Sequence, residues 1–218
     1  LCFLPLSHSY EHTCGLWFPV TIGASVAYAE NLDRLVANMG EIQPTVMTAV
    51  PRLYELMRDR IQRGLQTQSP LKQKLFAKTL ALGTKRYEAP DAMSFGEKIQ
   101  HAALDKLVRK KVAQRFGGAL KGFVSGGGRL DPEVGLFFTA LGVRLLQGYG
   151  QTETGPVVCC NTPASLKIDT VGPIFPDVDV KIAEDGEILV KGELVMRGYW
   201  GKEDETAAAF DAEGWLKT

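Results

Sequence analysis

The side chains best suited to chemistry in this chain lie together in one stretch, "QGYGQTETGP" at residues 147–156. The stretch carries an aromatic ring, hydroxyl groups, a carboxylate and three glycines, and it follows the apolar run at residues 143–146. Tyr149 has a ring that can lie against a flat base, and Thr152 has a hydroxyl that can donate to a phosphate oxygen. Glu153 offers a hard oxygen ligand, which suits magnesium beside a phosphate.

A second glycine cluster, "SGGG" at residues 125–128, also follows a predicted strand. Glycines at such a point let the backbone approach a ligand closely and direct amide groups at it. Taken singly, however, a glycine turn or a loop tyrosine is more often structural than functional. The sequence has no Walker lysine pattern and no Ser–His–Asp or Cys–His order, and His101 is predicted to lie at the surface of a helix. The residues alone leave a ligand site and two structural turns as open alternatives.

Alternating strand and helix patterns position these two clusters. The patterns predict strands at residues 25–29, 45–50, 120–124 and 143–146, and helices at 31–41, 51 onward, 71–87, 97–116 and 131–141. Strands that alternate with helices indicate a parallel sheet with crossover connections. In such a sheet, ligands bind beyond the carboxyl ends of the strands, which is where both glycine clusters fall. The charged residues within 97–116 predict a solvated helix face.

The pattern changes after about Thr170. Residues 178–198 alternate apolar and polar side chains and turn at Asp185-Gly186, which predicts an antiparallel hairpin. The predicted fold class is therefore α/β, a mostly parallel sheet layered with helices that leads into a smaller β-rich antiparallel region. Residues 1–169 form the α/β part and residues 170–218 the β-rich part of the same domain in this prediction.

The bulk composition excludes several classes of protein. Lys plus Arg and Asp plus Glu both total 25, so no basic excess points to nucleic acid. The four cysteines contain no CxxC spacing and are predicted to be reduced thiols near the core of a cytoplasmic protein. The uncharged stretch at residues 13–29 predicts a buried helix followed by a buried strand, not a transmembrane segment. No signal-peptide layout is present, and the chain is expected to be a piece of a longer protein.

The segment "GYGQTE" at residues 148–153 closely resembles the tyrosine-glycine-x-threonine-glutamate signature of the adenylate-forming enzymes. That superfamily comprises acyl-CoA synthetases, luciferases and peptide-synthetase adenylation domains. Four further segments agree with it in order and spacing: "LPLSHSYEH" at 4–12, "VPRLYE" at 50–55, "SGGGRLDPE" at 125–133 and "GELVMRGYW" at 192–200. The second of these is similar to the version in long-chain fatty acyl-CoA synthetases. The resemblance covers essentially the whole chain.

The resemblance implies a reaction in which a fatty acid is coupled to ATP, pyrophosphate is released, and the acyl group then passes from AMP to coenzyme A. Tyr149 would stack on adenine, Thr152 would contact the α-phosphate, and Glu153 would hold Mg²⁺, the last two being the expected catalytic residues. The residues expected to contact the nucleotide are Gly126, Gly127, Gly128, Gln147, Gly148, Tyr149, Gly150 and Thr152. Those expected at the acyl group are His8, Gly127 and Gly148. Gly128-Arg129 replaces the alanine-proline common in this motif.

The resemblance also implies neighbouring parts outside this sequence. The family's phosphate loop is expected before Leu1, its ribose-binding aspartate two residues after Thr218, and its catalytic lysine in a small C-terminal domain. The chain is thus expected to be the central part of a large N-terminal domain and to be inactive alone. Two alternatives stay open, a fatty acyl-AMP ligase that loads a carrier protein and a catalytically dead binding module. A peripheral contact with the inner face of a membrane is compatible with the sequence, which leaves the oligomeric state open.

Overall fold

Two β-sheets of different kinds organise the chain, which the computed structural model describes from Leu1 to Thr218. The strands in chain order are β1 (Val46–Ala49), β2 (Gly122–Ser125), β3 (Leu145–Tyr149), β4 (Cys159–Cys160), β5 (Val178–Ile182), β6 (Ile188–Gly192) and β7 (Leu216–Lys217). The larger sheet has the order β1–β2–β3–β4, with the first three strands parallel and β4 antiparallel. The smaller sheet, β5–β6–β7, is antiparallel. The predicted α/β class with a separate antiparallel region is confirmed.

The parallel register brings the carboxyl ends of three strands to one edge of the larger sheet. Ala49 at the end of β1 lies opposite Ser125 at the end of β2, and Ser125 lies opposite Gln147 in β3. Strand β3 continues further than predicted, because Gly148 and Tyr149 pair with the antiparallel strand β4. The first part of the 147–156 stretch is therefore strand, and the turn begins only after it.

Helices cover the larger sheet and connect its strands. The helical segments are Ser9–Glu11, His12–Trp17 (π), Phe18–Thr21, Leu35–Ile42, Pro51–Gln66, Pro70–Glu88, Phe95–Leu104, Asp105–Arg109 (π), Lys110–Arg115, Pro132–Ala140 and Glu203–Ala209. Short 3₁₀ turns lie at Pro90–Ala92 and Thr152–Thr154. Pro51 starts its helix as predicted, since a first-turn proline lacks only an N–H that has no intrahelical partner. Asp131 caps its helix by accepting from the main-chain N–H of Glu133 at 2.8 Å.

The helix predicted at residues 31–41 begins later than its pattern indicated. Asn31 does cap a turn, because its side-chain oxygen accepts from the main-chain N–H of Arg34 at 2.9 Å, but the helix proper starts at Leu35. The spacing of Leu32, Leu35, Val36 and Met39 predicts one buried face, of which Leu35 and Met39 are buried while Val36 is 43% exposed. Leu32 lies in the preceding turn and is 60% exposed.

A cluster of buried apolar side chains fixes the larger sheet against its helices. Tyr54, Phe123 and Phe138 come from a helix, from β2 and from a second helix, and all three are fully buried. The Tyr54 ring stands edge-on to Phe123 at 5.5 Å and to Phe138 at 6.2 Å between ring centroids. Such pairs contribute about 0.5–1.5 kcal/mol each beyond the burial of area. This packing holds the ends of β1 and β2 in a fixed relation.

The uncharged stretch at residues 13–29 is not the buried helix and strand that its composition predicts. Trp17 and Phe18 are more than half exposed, at 53% and 58%. Tyr28, in the predicted strand, forms only a single parallel bridge with Cys2. The prediction was wrong because an absence of charge does not decide which face of a helix meets a partner, and only part of this helix contacts β1. In no helix of the protein are length and apolarity combined as a bilayer span would require.

The long helix at residues 95–115 also turns a different face inward than predicted. His101, expected at the surface, is buried, and burial lowers its pKa. Arg109, expected on a solvated face, is buried and donates to main-chain carbonyls of neighbouring helices. Ile99 and Leu107, whose helical spacing predicts a shared apolar face, are exposed. Arg109 lies in a π-helical segment, whose wider turn shifts the spacing on which the prediction for this residue rests. His101 precedes that segment and is buried for another reason, since its ring lies 3.3 Å from the Arg86 guanidinium of the neighbouring helix.

Candidate functional site

A cavity of about 480 Å³ opens at the edge where β1, β2 and β3 end. The first helix, beginning at Ser9, closes one side of it, and the turn after β3 closes another. Most of the residues predicted for the site line this cavity, namely His8, Gly126, Gly127, Gly148, Tyr149, Gly150 and Thr152. The structure therefore brings together two glycine clusters and an N-terminal histidine that lie far apart in the sequence.

Part of the cavity wall is apolar. The side chains that give it this character are Phe18, Val46, Val124, Phe175 and Leu194. They come from the first helix, β1, β2, the link between the sheets and the segment after β6. A cavity with an apolar wall and a few convergent polar groups is typical of a small-molecule site.

Tyr10, which sequence reasoning did not single out, forms the wall opposite the first glycine cluster. Its hydroxyl donates to the main-chain oxygen of Val124 at 2.9 Å, and burial raises its pKa, so the hydroxyl stays a donor. A Cβ on Gly126 would lie 2.9 Å from the Tyr10 ring, so only glycine fits there. His8 starts this helix, with its Nδ1 accepting from the main-chain N–H of Tyr10 at 3.2 Å. The signal in the sequence was the position of Tyr10, two residues after the predicted histidine.

The turn after β3 presents the Thr152 hydroxyl to the first helix. Thr152–Thr154 forms a 3₁₀ turn, which Gln151 and Thr154 stabilise because the Gln151 N–H donates to the Thr154 hydroxyl at 2.8 Å. The hydroxyls of Thr152 and Ser9 lie 3.1 Å apart. The hydroxyl is thus held at the rim of the cavity, where it can reach a ligand oxygen.

Glu153 lies next to the cavity with one carboxylate oxygen engaged. Its Oε1 accepts from the Tyr199 hydroxyl at 2.9 Å, and its main-chain oxygen accepts from Met196 N–H at 2.8 Å. The donation to a carboxylate raises the pKa of Tyr199, so this hydroxyl keeps its proton at neutral pH. Oε2 makes no hydrogen bond in the structure and is open to a cation.

The side chains present fit a magnesium ion that is shared with a phosphate. No group of three or more His, Cys, Asp or Glu side chains is placed to enclose a metal ion. Magnesium is usually held by one or two carboxylates together with substrate phosphates and water. Glu153, next to Thr152 in the turn and with Oε2 free of hydrogen bonds, matches this kind of site.

Tyr149 lies half-buried in the cavity wall and is tied to the second sheet. Its hydroxyl lies 2.6 Å from the Thr218 hydroxyl, which in turn donates to the main-chain oxygen of Ile188 at 2.8 Å, so Tyr149 is the donor in the first contact. The tyrosine therefore spans from β3 to β6. Its ring is held in place from both sheets.

Gln147 and Gly128 were predicted at the nucleotide but do not line the cavity. Gln147 is buried, and its side-chain amide donates to the main-chain oxygen of Ile168 and accepts from Leu130 N–H at 3.3 Å. These contacts with the loops at Leu130 and Ile168 hold the Gln147 amide away from the cavity. Gly128 is exposed on the turn beside Pro51. The Gln147 side chain joins two loops, so its predicted contact with the nucleotide would require these hydrogen bonds to break.

A buried carboxylate behind the cavity was also missed. Glu11 is fully buried, its Oε2 accepts from the Thr48 hydroxyl at 2.5 Å, and its Oε1 has no partner. A Cβ on Gly15 would lie 2.6 Å from the carboxyl carbon of Glu11. The available signal in the sequence was the spacing of Glu11 and Gly15, since a glycine four residues after an acid leaves room on the helix for a buried carboxylate.

Two of the four cysteines line the cavity. Burial raises the pKa of Cys14 and of Cys160 to about 11, so both are thiols at neutral pH. None of the four cysteines forms a disulfide, which agrees with the predicted reduced state.

Comparison with known proteins identifies the family of this chain. The sequence profile of the AMP-binding enzymes matches residues 1–200. The long-chain-fatty-acid–CoA ligase FadD15 of Mycobacterium bovis is 33% identical over 100% of this chain and 36% of its own length. The peroxisomal long chain acyl-CoA synthetase 6 of Arabidopsis thaliana is 30% identical over 100% of this chain and 32% of its own length. The chain thus spans about a third of the length of these curated relatives.

A solved structure shows the same fold. The adenylation domain of a carboxylate reductase from Mycobacterium chelonae superimposes with a TM-score of 0.71 at 23% identity, over 99% of this chain and 31% of that one. Together with the profile match, which covers nearly the whole sequence, this establishes that the chain belongs to the AMP-binding enzyme family.

Proposed function

We propose that the protein containing this chain is an ATP-dependent long-chain fatty acid–CoA ligase. It would convert a fatty acid and ATP into acyl-AMP and pyrophosphate, and then acyl-AMP and coenzyme A into acyl-CoA and AMP. The observation that carries the proposal is that the wall of one cavity includes both apolar side chains, Phe18 and Val46, and polar ones, Thr152 and Tyr149. An alkyl chain and a nucleotide phosphate can meet there, and relatives named as long-chain fatty-acid ligases support this substrate class.

The nucleotide would lie along the ends of β2 and β3. Tyr149 stacks on the adenine in this proposal, since its ring lines the cavity and is held by its hydroxyl. Thr152 contacts the α-phosphate, and the main chain at Gly126, Gly127 and Gly150 lies alongside the nucleotide. Fixed donors at these points stabilise developing charge without reorganisation of solvent.

Glu153 would hold the metal against the phosphates. Magnesium, when bound, supplies charge neutralisation at the phosphoryl oxygens. The contribution of the chain is a carboxylate at a fixed place, because both the main chain and the side chain of Glu153 are hydrogen-bonded to the segment after β6. Thr152 and Glu153 are therefore the proposed catalytic residues.

The fatty acyl group would occupy the apolar part of the cavity. His8, Gly127 and Gly148 lie where its carboxylate would meet the nucleotide, and the walls beyond them carry Tyr10 and Phe18. Coenzyme A as the acceptor follows from the relatives' names. The division at residues 169 and 170, the cytoplasmic location and a peripheral membrane contact stay predictions.

The experiment that tests the proposal uses the full-length protein that contains this sequence. Pyrophosphate release is measured with ATP, Mg²⁺ and fatty acids of increasing chain length, each with and without coenzyme A. We expect release that depends on a long-chain acid, and acyl-CoA as the product when coenzyme A is present.

Other outcomes separate the two alternatives. Acyl-AMP that forms but is not passed to coenzyme A would indicate an enzyme that loads a carrier protein. No pyrophosphate release with any acid, from a protein that is folded, would indicate a binding module without catalysis. Either result would overturn the proposed ligase.

A further inference from the structure

We propose that Tyr199 is a positioning residue for Glu153 and that Thr206 holds Tyr199 in the orientation this requires. The inference rests on the proposed function, because it assigns a role to Tyr199 only if Glu153 is a metal ligand. Within the segment after β6 Leu194 lines the cavity, but Tyr199 does not and makes none of the nucleotide or acyl contacts described above. Its placement at the back of the Thr152–Thr154 turn is therefore unexplained by those contacts.

The segment after β6 contacts Glu153 twice. Met196 N–H donates to the main-chain oxygen of Glu153 at 2.8 Å, and the Tyr199 hydroxyl donates to its Oε1 at 2.9 Å. The first contact fixes the peptide from which the side chain projects, and the second fixes the carboxylate itself. Nearby, a Cβ on Gly155 would lie 2.9 Å from the main-chain oxygen of Leu194, so the segment follows the turn closely.

Thr206 in turn fixes Tyr199. The Thr206 hydroxyl accepts from the main-chain N–H of Tyr199 at 2.9 Å and donates to the main-chain oxygen of Lys202 at 2.7 Å. Gly198 has φ of +147° and no room for a Cβ, which would lie 2.6 Å from the Thr206 methyl carbon. The glycine, the tyrosine and the threonine thus form one brace whose far end is the Glu153 carboxylate.

The function of these contacts is to fix the orientation of the Glu153 carboxylate before a metal ion binds. A half-buried glutamate without such a contact would sample several rotamers, and ordering it on binding would cost free energy. With Oε1 already held by Tyr199, the rotation of the carboxylate is restricted while Oε2 makes no hydrogen bond that a metal would have to displace. Burial of the ring does not explain the contact, because Tyr199 is 39% exposed and its neighbour Trp200 is fully exposed.

The test compares matched variants of the full-length protein in a binding assay. Binding of Mn²⁺ with a non-hydrolysable ATP analogue is followed by water-proton relaxation, and binding of the analogue without metal is followed by calorimetry in EDTA. Tyr199→Phe removes only the hydroxyl, and Trp200→Phe next to it is the control. Thr206→Val removes the acceptor, whereas Thr206→Ser keeps it. Glu153→Gln reports on the metal ligand itself.

We expect Tyr199→Phe and Thr206→Val to weaken binding of the metal–analogue complex about three- to tenfold, the range for loss of one hydrogen bond to a charged group at a partly exposed site. Binding of the metal-free analogue should stay unchanged, and Trp200→Phe and Thr206→Ser should behave like the wild type. The half-saturating Mg²⁺ concentration for pyrophosphate release should rise in parallel.

Three results would overturn the inference, and they differ in what else they overturn. If Glu153→Gln loses metal-dependent binding but Tyr199→Phe does not, Tyr199 has no positioning role while the proposed metal ligand stands. If Tyr199→Phe weakens binding with and without metal equally, its effect is a general structural one. If Glu153→Gln also binds the metal–analogue complex normally, the metal role in the proposed function fails as well.

Discussion

The segment after β2 and the segment at the end of β3 are both rich in glycine, but the space around their glycines differs. Gly127 and Gly128 are exposed, and a Cβ on either would meet its nearest neighbour at 3.6 Å or 3.8 Å, an ordinary contact distance. A Cβ on Gly148 would lie 3.1 Å from the main-chain oxygen of Cys159, and one on Gly150 would overlap the carbonyl of Pro156.

The difference indicates what each cluster can offer to a ligand. The turn after β2 has space at Gly127 and Gly128, although not at Gly126 beside Tyr10, so a ligand can approach the amides of its outer part. The glycines of β3 are required by the protein itself, because the chain after them folds back against them. Their role in the site is therefore to place the side chains that follow, including those of Tyr149, Thr152 and Glu153.

Gly150→Ala is expected to have the largest effect on stability. The added carbon would overlap a main-chain carbonyl, which cannot move aside as a side chain does, and we expect a loss of about 3 kcal/mol or more in the free energy of unfolding. Urea unfolding of the full-length protein checks this. Gly128→Ala is the control, and equal stability of the two variants would show that β3 is not packed as described.

Glu153→Ala is expected to lower fatty-acid-dependent pyrophosphate release more than tenfold, which corresponds to about 1.4 kcal/mol or more. The reason is loss of the carboxylate that holds the metal, and the fold should stay intact because Glu153 is only half-buried and its main-chain bond to Met196 is kept. Glu133→Ala, at the exposed start of another helix, is the matched control. A Glu153→Ala enzyme with more than about a tenth of the wild-type rate would remove this residue from the metal site.

Tyr149→Ala should weaken apparent ATP affinity more than Tyr149→Phe, because stacking needs the ring and contributes on the order of 1 kcal/mol beyond area burial. The phenylalanine variant also loses the hydrogen bond to Thr218, so we expect it to unfold about 1 kcal/mol more easily. Nucleotide titration and thermal unfolding measure the two effects separately. Equal losses of ATP affinity in both variants would show that the hydroxyl, not the ring, makes the contact.

The smallest effects are expected in the open turn. Gly127 has φ of +75°, so Gly127→Ala should cost about 1 kcal/mol of stability from backbone strain alone. Gly128→Ala has neither that strain nor a close neighbour, and its change should stay within about 0.5 kcal/mol. Urea unfolding of the pair distinguishes them. A large loss for Gly128→Ala would contradict the openness of this turn.

The sequence predicts the sheet and its edge well because their signals are local. Alternation of strand and helix patterns, the first-turn proline at Pro51 and the cap at Asp131 each depend on nearby residues. The predicted turn at Asp185-Gly186 joins β5 to β6, with Gly186 at φ of +91°. These features follow from steric and hydrogen-bonding preferences within a few residues.

The sequence predicts burial on the helices poorly because burial depends on distant partners. Regular helical spacing predicts His101 and Arg109 outside, but both are buried. His101 lies against Arg86, and Arg109 donates to main-chain carbonyls of two other helices, partners that no local spacing reveals. The contact between Tyr199 and Glu153 joins residues 46 positions apart, and no local pattern links them. Side chains that act through long-range contacts, such as Tyr10 and Tyr199, were therefore missed while motif residues were found.

The most direct test of the account is a crystal structure of the full-length protein with a non-hydrolysable analogue of palmitoyl-AMP. We predict that the adenine lies against the Tyr149 ring at about 4 Å, the usual distance for apolar contact. The phosphate mimic should lie about 3 Å from the Thr152 hydroxyl, and the alkyl chain should extend past Tyr10 towards Phe18. An analogue bound elsewhere, or an alkyl chain outside the cavity at the ends of β1 to β3, would contradict the account.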